Sequence, residues 1–213
     1  MERIKPWFPE INDDEWVRLE CWAALMREWN AKVNLVSRKD IEALEEHHLA
    51  PCLAVVKVLK LMHGARVLDI GTGGGLPGLI MAQHYSQAHF VLVDSVGKKV
   101  RVVEDIAQRL GLKNVDTYHG RAETLSREFD FVTGRAVTAL PDFLRWAAPR
   151  LRAGRKHSLP NGVLYWRGGA VEDWLADARA WHLHHWLPVA HLQGKHLLHL
   201  TPALAKKLKA PAQ

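Results

Sequence analysis

VLDIGTGGGLPG, residues 67–78, is the stretch from which the rest of this 213-residue chain is read. A short apolar run ends in an acid, Asp69, and four glycines follow within five positions, Gly71, Gly73, Gly74 and Gly75, interrupted only by Thr72. Glycine reaches positive φ readily and leaves no side chain between backbone and ligand. The turn is therefore either a bare tight loop or a seat for a small molecule.

From Ala65 onward, short β-branched runs alternate with helical patterns. The strand candidates are RVLDI (66–70), HFVLVD (89–94), VDTYHG (115–120), FDFVTGRAV (129–137) and GVLYWRG (162–168), followed by HLHHWLPV (182–189) and HLLHL (196–200) around a turn at Gly194. Helices are predicted over about 77–85, 97–112, 142–151 and 171–181. Strands separated by helices of this length connect as right-handed parallel crossovers, which gives an α/β, doubly wound sheet of about seven strands closed by an antiparallel pair. Ahead of it lies a helical lead-in. Asn12 can cap with Glu15 three residues on, and Trp16, Leu19, Ala23, Met26 and Trp29 recur at helical spacing. A second helical pattern runs from about 40 to 62, interrupted at Pro51 and closed by Gly64. The expected division is 1–63 helical lead-in, 64–204 sheet domain and 205–213 basic tail.

Composition bounds the setting. Hydrophobic residues make up 48% of the chain, enough for the core of one ordinary domain. Two cysteines, Cys21 and Cys52, give no disulfide framework, and no CxxC pair is present. That usage suits a reducing, cytoplasmic compartment. No secretion signal and no apolar run long enough for a membrane span occurs, so neither is expected. The net charge of +6 is uneven: residues 1–63 hold 9 Lys and Arg against 11 acids, leaving 20 against 12 in the remainder. RWAAPRLRAGRK (145–156) contains five cations and no acid. Such a balance suits a polyanionic partner.

In a doubly wound sheet the turn after the first strand faces the ligand crevice. A dinucleotide would want G-x-G-x-x-G for its pyrophosphate, but counting from Gly71 through Gly73 the third glycine position holds Leu76. Asp69 would repel a phosphate and favour, directly or through water, a cationic group. S-adenosylmethionine offers both an ammonium and a sulfonium. Asp94, 23 residues after Gly71 at the end of the second strand, can accept from the two hydroxyls of an adenosine ribose and so fits either cofactor. An empty loop and a nicotinamide or flavin site stay open on these residues alone.

WNAKVNL (29–35), VLDIGTGGGLPG (67–78), LVDSVGKKVRVVE (92–104), HGRAE (119–123) and GRAV (134–137), in this order and spacing, are similar to the motifs of the bacterial glucose-inhibited division protein B family. The likeness runs from Trp29 to Val137, roughly half the chain. It implies a Rossmann-like class I methyltransferase that uses S-adenosylmethionine to methylate guanine N7 in 16S ribosomal RNA, free or within the small ribosomal subunit. By the same resemblance Gly71, Leu76, Ala122, Glu123 and Arg135 fall on positions the family uses for the cofactor, alongside Asp69, Gly73 and Asp94. Arg121 and Arg167 sit at expected carboxyl ends of strands and Asn34 lies in the lead-in motif; these three are the candidates for contact with RNA. No catalytic residue is assigned, because N7 attacks with an in-plane lone pair and need not lose a proton. A monomer is expected.

The chain departs from the family in places. HLAPCL (48–53) has Pro51 and Cys52 where the family shows an acid and a serine, and Arg167 stands for a lysine. Two rival readings follow: a class I methyltransferase with a protein or small-molecule acceptor, and a non-catalytic RNA-binding module that retains a cofactor pocket. Thirteen histidines invite a metal reading, but HLHHW (182–186), His191, His196 and His199 have no nearby cysteine or acid cluster in sequence, so no metal is expected.

Overall fold

The structure, a computed structural model, describes residues 1–170 and 175–209. Asn12 opens the first helix as its position predicts. Its Oδ1 accepts from the Glu15 N–H at 2.9 Å, and the Asn12 N–H donates to Glu15 Oε2 at 3.2 Å, a reciprocal capping box. Helix α1 (Asp13–Asn30) buries Trp16, Leu19, Trp22, Ala23 and Met26 along one stripe. After α2 (Arg38–Glu42) comes a π-helical turn, Glu45–Leu49, that leads into α3 (Ala50–Leu53) and a 3₁₀ turn, Ala54–Lys57. Pro51 therefore does not interrupt the helical path. The wider π turn immediately before it accommodates a ring that would clash with a regular α-turn.

The sheet is built from β1 (Arg66–Ile70), β2 (His89–Asp94), β3 (Val115–His119), β4 (Phe131–Arg135), β5 (Gly162–Gly168), β6 (Arg179–His182) and β7 (Lys195–Leu200). Its order is β3-β2-β1-β4-β5-β7-β6, parallel except for β7, which runs antiparallel to both neighbours. Helices α4 (Gly78–His84), α5 (Gly97–Arg109) and α6 (Leu140–Ala147) are the crossovers, and α7 (Leu183–Trp186) and α8 (Pro202–Leu208) follow β6 and β7. Chain order reverses between β1 and β4, which opens a crevice at their carboxyl ends.

Alternate residues of each strand serve two cores. Val67, Phe90, Leu92 and Phe131 pack with Trp22, Met26, Leu79 and Ile106 on one face. Leu68, Val91, Val132 and Val163 pack with Phe143, Leu144, Leu204 and Ala205 on the other. The lead-in thus belongs to the first core. It is pinned there by Glu15 to His84 of α4 at 2.8 Å and by Trp29 Nε1 donating to Asp105 of α5 at 2.7 Å.

Two expectations are corrected. The strand expected over 182–189 lies earlier, at Arg179–His182, because pairing with β7 ends at His182↔His196 and Leu183 turns into the core. Of the helix expected over 171–181, residues 171–174 lie outside the described residues, and Arg179 to Trp181 belong to β6. The tail boundary at 205 falls within α8, whose cap Thr201 and buried Leu204 and Ala205 hold it against α6. The basic segment 145–156 leads to the amino ends of the strands, where Arg152 forks onto Asp130, just ahead of β4, at 2.9 and 2.7 Å.

Candidate functional site

The glycine turn is fastened from below by Asp69. Its carboxylate is fully buried and accepts from Thr133 Oγ1 at 2.8 Å through one oxygen, and from Thr72 Oγ1 at 2.6 Å and the Gly78 N–H at 3.1 Å through the other. Burial pushes its pKa up to about 6 against these three donors. The geometry gives Asp69 a fastening role: it faces the turn, not the crevice. It also explains the glycine that ends the opening stretch, since a Cβ on Gly78 would meet Asp69 Oδ2 at 2.7 Å.

Above the turn a cavity of about 120 Å³ opens at the carboxyl ends of β1, β2 and β3. Ile70, Gly71, Val93, Asp94, Ala122 and Val137 line it, with Arg121, Glu123 and Trp146 at its walls. Gly71 has φ +68°, and a Cβ there would sit 2.9 Å from a Val137 methyl. Asp94 is 7% exposed; its Oδ2 accepts from the Gly73 N–H and its Oδ1 from the Val96 N–H, both at 2.9 Å. A carboxylate offers about four acceptor positions, so two remain for a ligand's hydroxyls. Bare backbone, one carboxylate, the small Ala122 and apolar walls fit a nucleoside.

Arg135, at the end of β4, points away from that cavity. Nη1 donates to the His48 carbonyl at 3.0 Å and to Cys52 Sγ at 3.2 Å; Nη2 donates to the His47 carbonyl at 3.0 Å and to His48 Nδ1 at 2.7 Å. Burial and the adjacent guanidinium push the His48 pKa down to about 3, so the ring is neutral and carries its proton on Nε2. A second, larger cavity of about 500 Å³ lies here, beyond the carboxyl ends of β4 and β5. Arg135, Ala136, Tyr165, Trp166, Arg167 and Lys195 are among the residues lining it. Ala136 lines this cavity and the next residue, Val137, lines the smaller one, so the two adjoin. At the join Ala136 holds φ +52°, the one positive φ among the described non-glycine residues.

The fold thus gathers Gly71, Asp94, Arg121, Ala122 and Glu123 around one cavity, with Gly73 bonded to Asp94. Arg135 and Arg167 line the second cavity instead. Leu76 joins neither and lies in the core. Asn34 is exposed on a separate depression with Arg27 and Lys32, and the capping in its motif falls to Asn30, whose Oδ1 accepts from the Leu35 and Val36 N–H groups. Leu35 and Met26 pack against Gly74, which brings this lead-in loop to the glycine turn. Trp146 and Lys195 were not legible as site residues. Trp146 stands off the apolar stripe of α6, a weak signal, and Lys195 reaches the site only through the antiparallel return of β7.

Asp40, His47 and His191 come together with potential ligand atoms within 4.8 Å of one another, a grouping that the sequence, with His191 far from the other two, did not reveal. His47 Nδ1 meets Asp40 at 3.1 Å, while the His47 and His191 rings stack at 3.7 Å and 12°. Stacked rings aim their in-plane lone pairs side by side and do not converge on an ion.

The profile of the GidB family, described as rRNA small subunit methyltransferase G, matches residues 16–168. Proteins called ribosomal RNA small subunit methyltransferase G are similar along most of the chain. The one from Christiangramia forsetii is 41% identical over 84% of this chain and 85% of its own length. That from Flavobacterium psychrophilum is 42% identical over 83% and 85%. Bacteroides thetaiotaomicron has one 41% identical over 81% and 84%. Among solved structures, a mutant of MtNAS in complex with S-adenosylmethionine aligns with TM-score 0.54 at 16% identity, covering 88% of this chain and 76% of its own. That likeness is one of fold.

Proposed function

The chain belongs to the GidB family of small-subunit rRNA methyltransferases, and from that premise we propose that it transfers a methyl group from S-adenosylmethionine to N7 of a guanine in 16S ribosomal RNA, acting as a monomer. The observation that carries this reading is the pair of adjoining cavities. One fits a nucleoside, the other is rimmed by Arg135, Arg167 and Lys195, and they adjoin at the consecutive residues Ala136 and Val137.

When bound, S-adenosylmethionine supplies an electrophilic methyl group on a sulfonium. In this reading Asp94 accepts from the ribose hydroxyls while its hold on the Gly73 N–H keeps the turn in register. Ile70, Val93, Val137 and Trp146 would offer the adenine apolar walls, and the Ala122–Glu123 backbone would meet its edge. Asp69, bonded to Thr72 and Gly78, fixes both ends of the glycine turn, so the ligand meets a backbone already in place. Guanine N7 needs no base to take its proton. The chain has only to align N7 with the methyl group and to exclude competing approaches, a task of positioning.

Incubation of the chain with methyl-labelled cofactor and small-subunit particles or protein-free 16S rRNA, followed by mapping of the modified base, tests the proposal. Label at N7 of a single guanine is expected. Label on protein, on an exocyclic amine, or none despite cofactor binding would overturn it.

No helix among the described residues is long and apolar enough to cross a membrane.

A further inference from the structure

Four residues, 136–139, join β4 to α6, and they run along both cavities. Ala136, Thr138 and Ala139 line the larger one and Val137 the smaller. The placement of one cavity against the other therefore depends on how this short loop is held. Ala136 has φ +52°, a conformation that an alanine keeps only where its surroundings impose it. Three contacts hold it. Just before the loop, Arg135 is fixed to the His47 and His48 carbonyls of the lead-in. Within it, the Val137 methyls fill the space that Gly71 leaves by lacking a Cβ. At its far side the Tyr165 hydroxyl donates to the Thr138 carbonyl at 2.5 Å, and the Thr138 N–H points back at the same oxygen at 3.5 Å. One phenol thus takes both main-chain groups of a residue that belongs to no helix or strand.

The phenol is itself rigidly placed. Tyr165 lies on β5 opposite Gly134, is 3% exposed, and its ring meets that of Phe143 at 4.6 Å and 44°. Phe143 occupies the place that a Cβ on Gly134 would take, 2.3 Å away. Strand register, α6 and an absent side chain together aim the hydroxyl at the loop. Burial raises the Tyr165 pKa, which keeps the hydroxyl a donor at neutral pH. The next residue, Trp166, faces the other core and donates through Nε1 to the Pro51 carbonyl at 2.7 Å, so successive residues of β5 brace the loop and the lead-in. A reaction at N7 asks no proton of the hydroxyl, and its role is spatial.

We propose that Tyr165 is a positioning residue for methyl transfer: its hydroxyl, acting through Thr138, holds Ala136 and Val137 where they set the acceptor cavity against the cofactor cavity. This rests on the reading of the chain as a guanine methyltransferase and names a residue that serves that same site. Transfer from a sulfonium to N7 runs in line, and a displacement of about 1 Å in such an alignment can slow the step roughly a hundredfold.

Tyr165→Phe keeps the ring and removes the hydroxyl. In methylation of 16S rRNA by the full chain, kcat should fall roughly tenfold or more, with KM for the RNA and the calorimetric Kd for S-adenosylmethionine each within about twofold of wild type. Ala136→Gly added to that variant should restore most of the lost rate, because glycine holds φ +52° without the strain that the clamp opposes. A merely structural hydroxyl would give neither the split nor the rescue. An unchanged kcat, a loss carried by KM or Kd, or a kcat that Ala136→Gly does not raise overturns the positioning role and leaves the function standing. Absence of rRNA methylation by the unaltered chain overturns the function instead, and the positioning role with it.

Discussion

Arg135 donates to the carbonyl of His47 at 3.0 Å, and that carbonyl is the one Pro51, four residues on, has no N–H to reach. The proline leaves an acceptor open and the end of β4 fills it, so the lead-in is bolted to the crevice by a guanidinium. Arg135→Ala strands the His47 and His48 carbonyls and His48 Nδ1 and should lower stability by about 2 kcal/mol in urea unfolding. Arg135→Lys should recover less than half of that loss, because one ammonium cannot span the fork. Equal stability for wild type and Arg135→Ala would refute the bolt.

The glycine turn separates strain from fit. Gly71 and Gly111 have nearly the same φ, +68° and +67°, but a Cβ on Gly71 would press into Val137 while one on Gly111 meets nothing within 4 Å. Both alanine variants should lose about 1 kcal/mol from backbone strain. Only Gly71→Ala should also weaken S-adenosylmethionine binding, by roughly tenfold or more, in calorimetric titration, since it narrows the cavity at Val137.

Asp94 holds two backbone donors, Gly73 and Val96, beside the same cavity. Asp94→Ala should cost about 2 kcal/mol in stability, from two N–H groups left without their acceptor, and should abolish measurable cofactor binding. Asp94→Asn keeps one acceptor oxygen and should bind weakly. A variant that unfolds more easily yet binds the cofactor normally would confine Asp94 to the turn.

Acid should act on the fold through opposed groups. Asp69 has a folded pKa raised to about 6 from 3.8, so its contribution is fully present below 3.8 and is lost as pH rises through 6. His48 has a folded pKa lowered to about 3 from 6.5, so its contribution is present above 6.5 and is lost as pH falls toward 3. Burial lowers the pKa values of His157, His196 and His199 as well, so the histidines prevail and the urea midpoint should drop between pH 7 and pH 4. His48→Gln should flatten that drop; an unchanged slope would remove His48 from the account.

Arg152 tests what the basic segment is for. It forks onto Asp130, which is 1% exposed and also accepts from the Arg66 N–H and Asn161. Arg152→Ala should destabilise the chain by about 2 to 3 kcal/mol by leaving that carboxylate without its cation, with no change in cofactor affinity. Arg155→Ala, an exposed position, should do neither.

The sequence by itself determined the doubly wound sheet, the cofactor loop and the family. These rest on information carried within a few residues: period-two strands, the Asn12–Glu15 cap, glycines where the backbone needs positive φ, an acid at or next to the end of each of two strands. It placed Gly71, Asp94 and Ala122 around one cavity because each is the residue at or just after the carboxyl end of a parallel strand, and parallel strands bring those ends together. Only the tertiary structure decided which way side chains face. Asp69 turns down to Thr72, Thr133 and Gly78 instead of up to a ligand, and Arg135 turns to a helix that precedes it by more than eighty residues. Lys195 enters through an antiparallel strand whose register no local pattern sets, and the basic run at 145–156 is carried to the other end of the sheet by a crossover. Local pattern fixes backbone conformation, whereas the partner of a long polar side chain is set by whatever distant acceptor the packed cores leave unpaired.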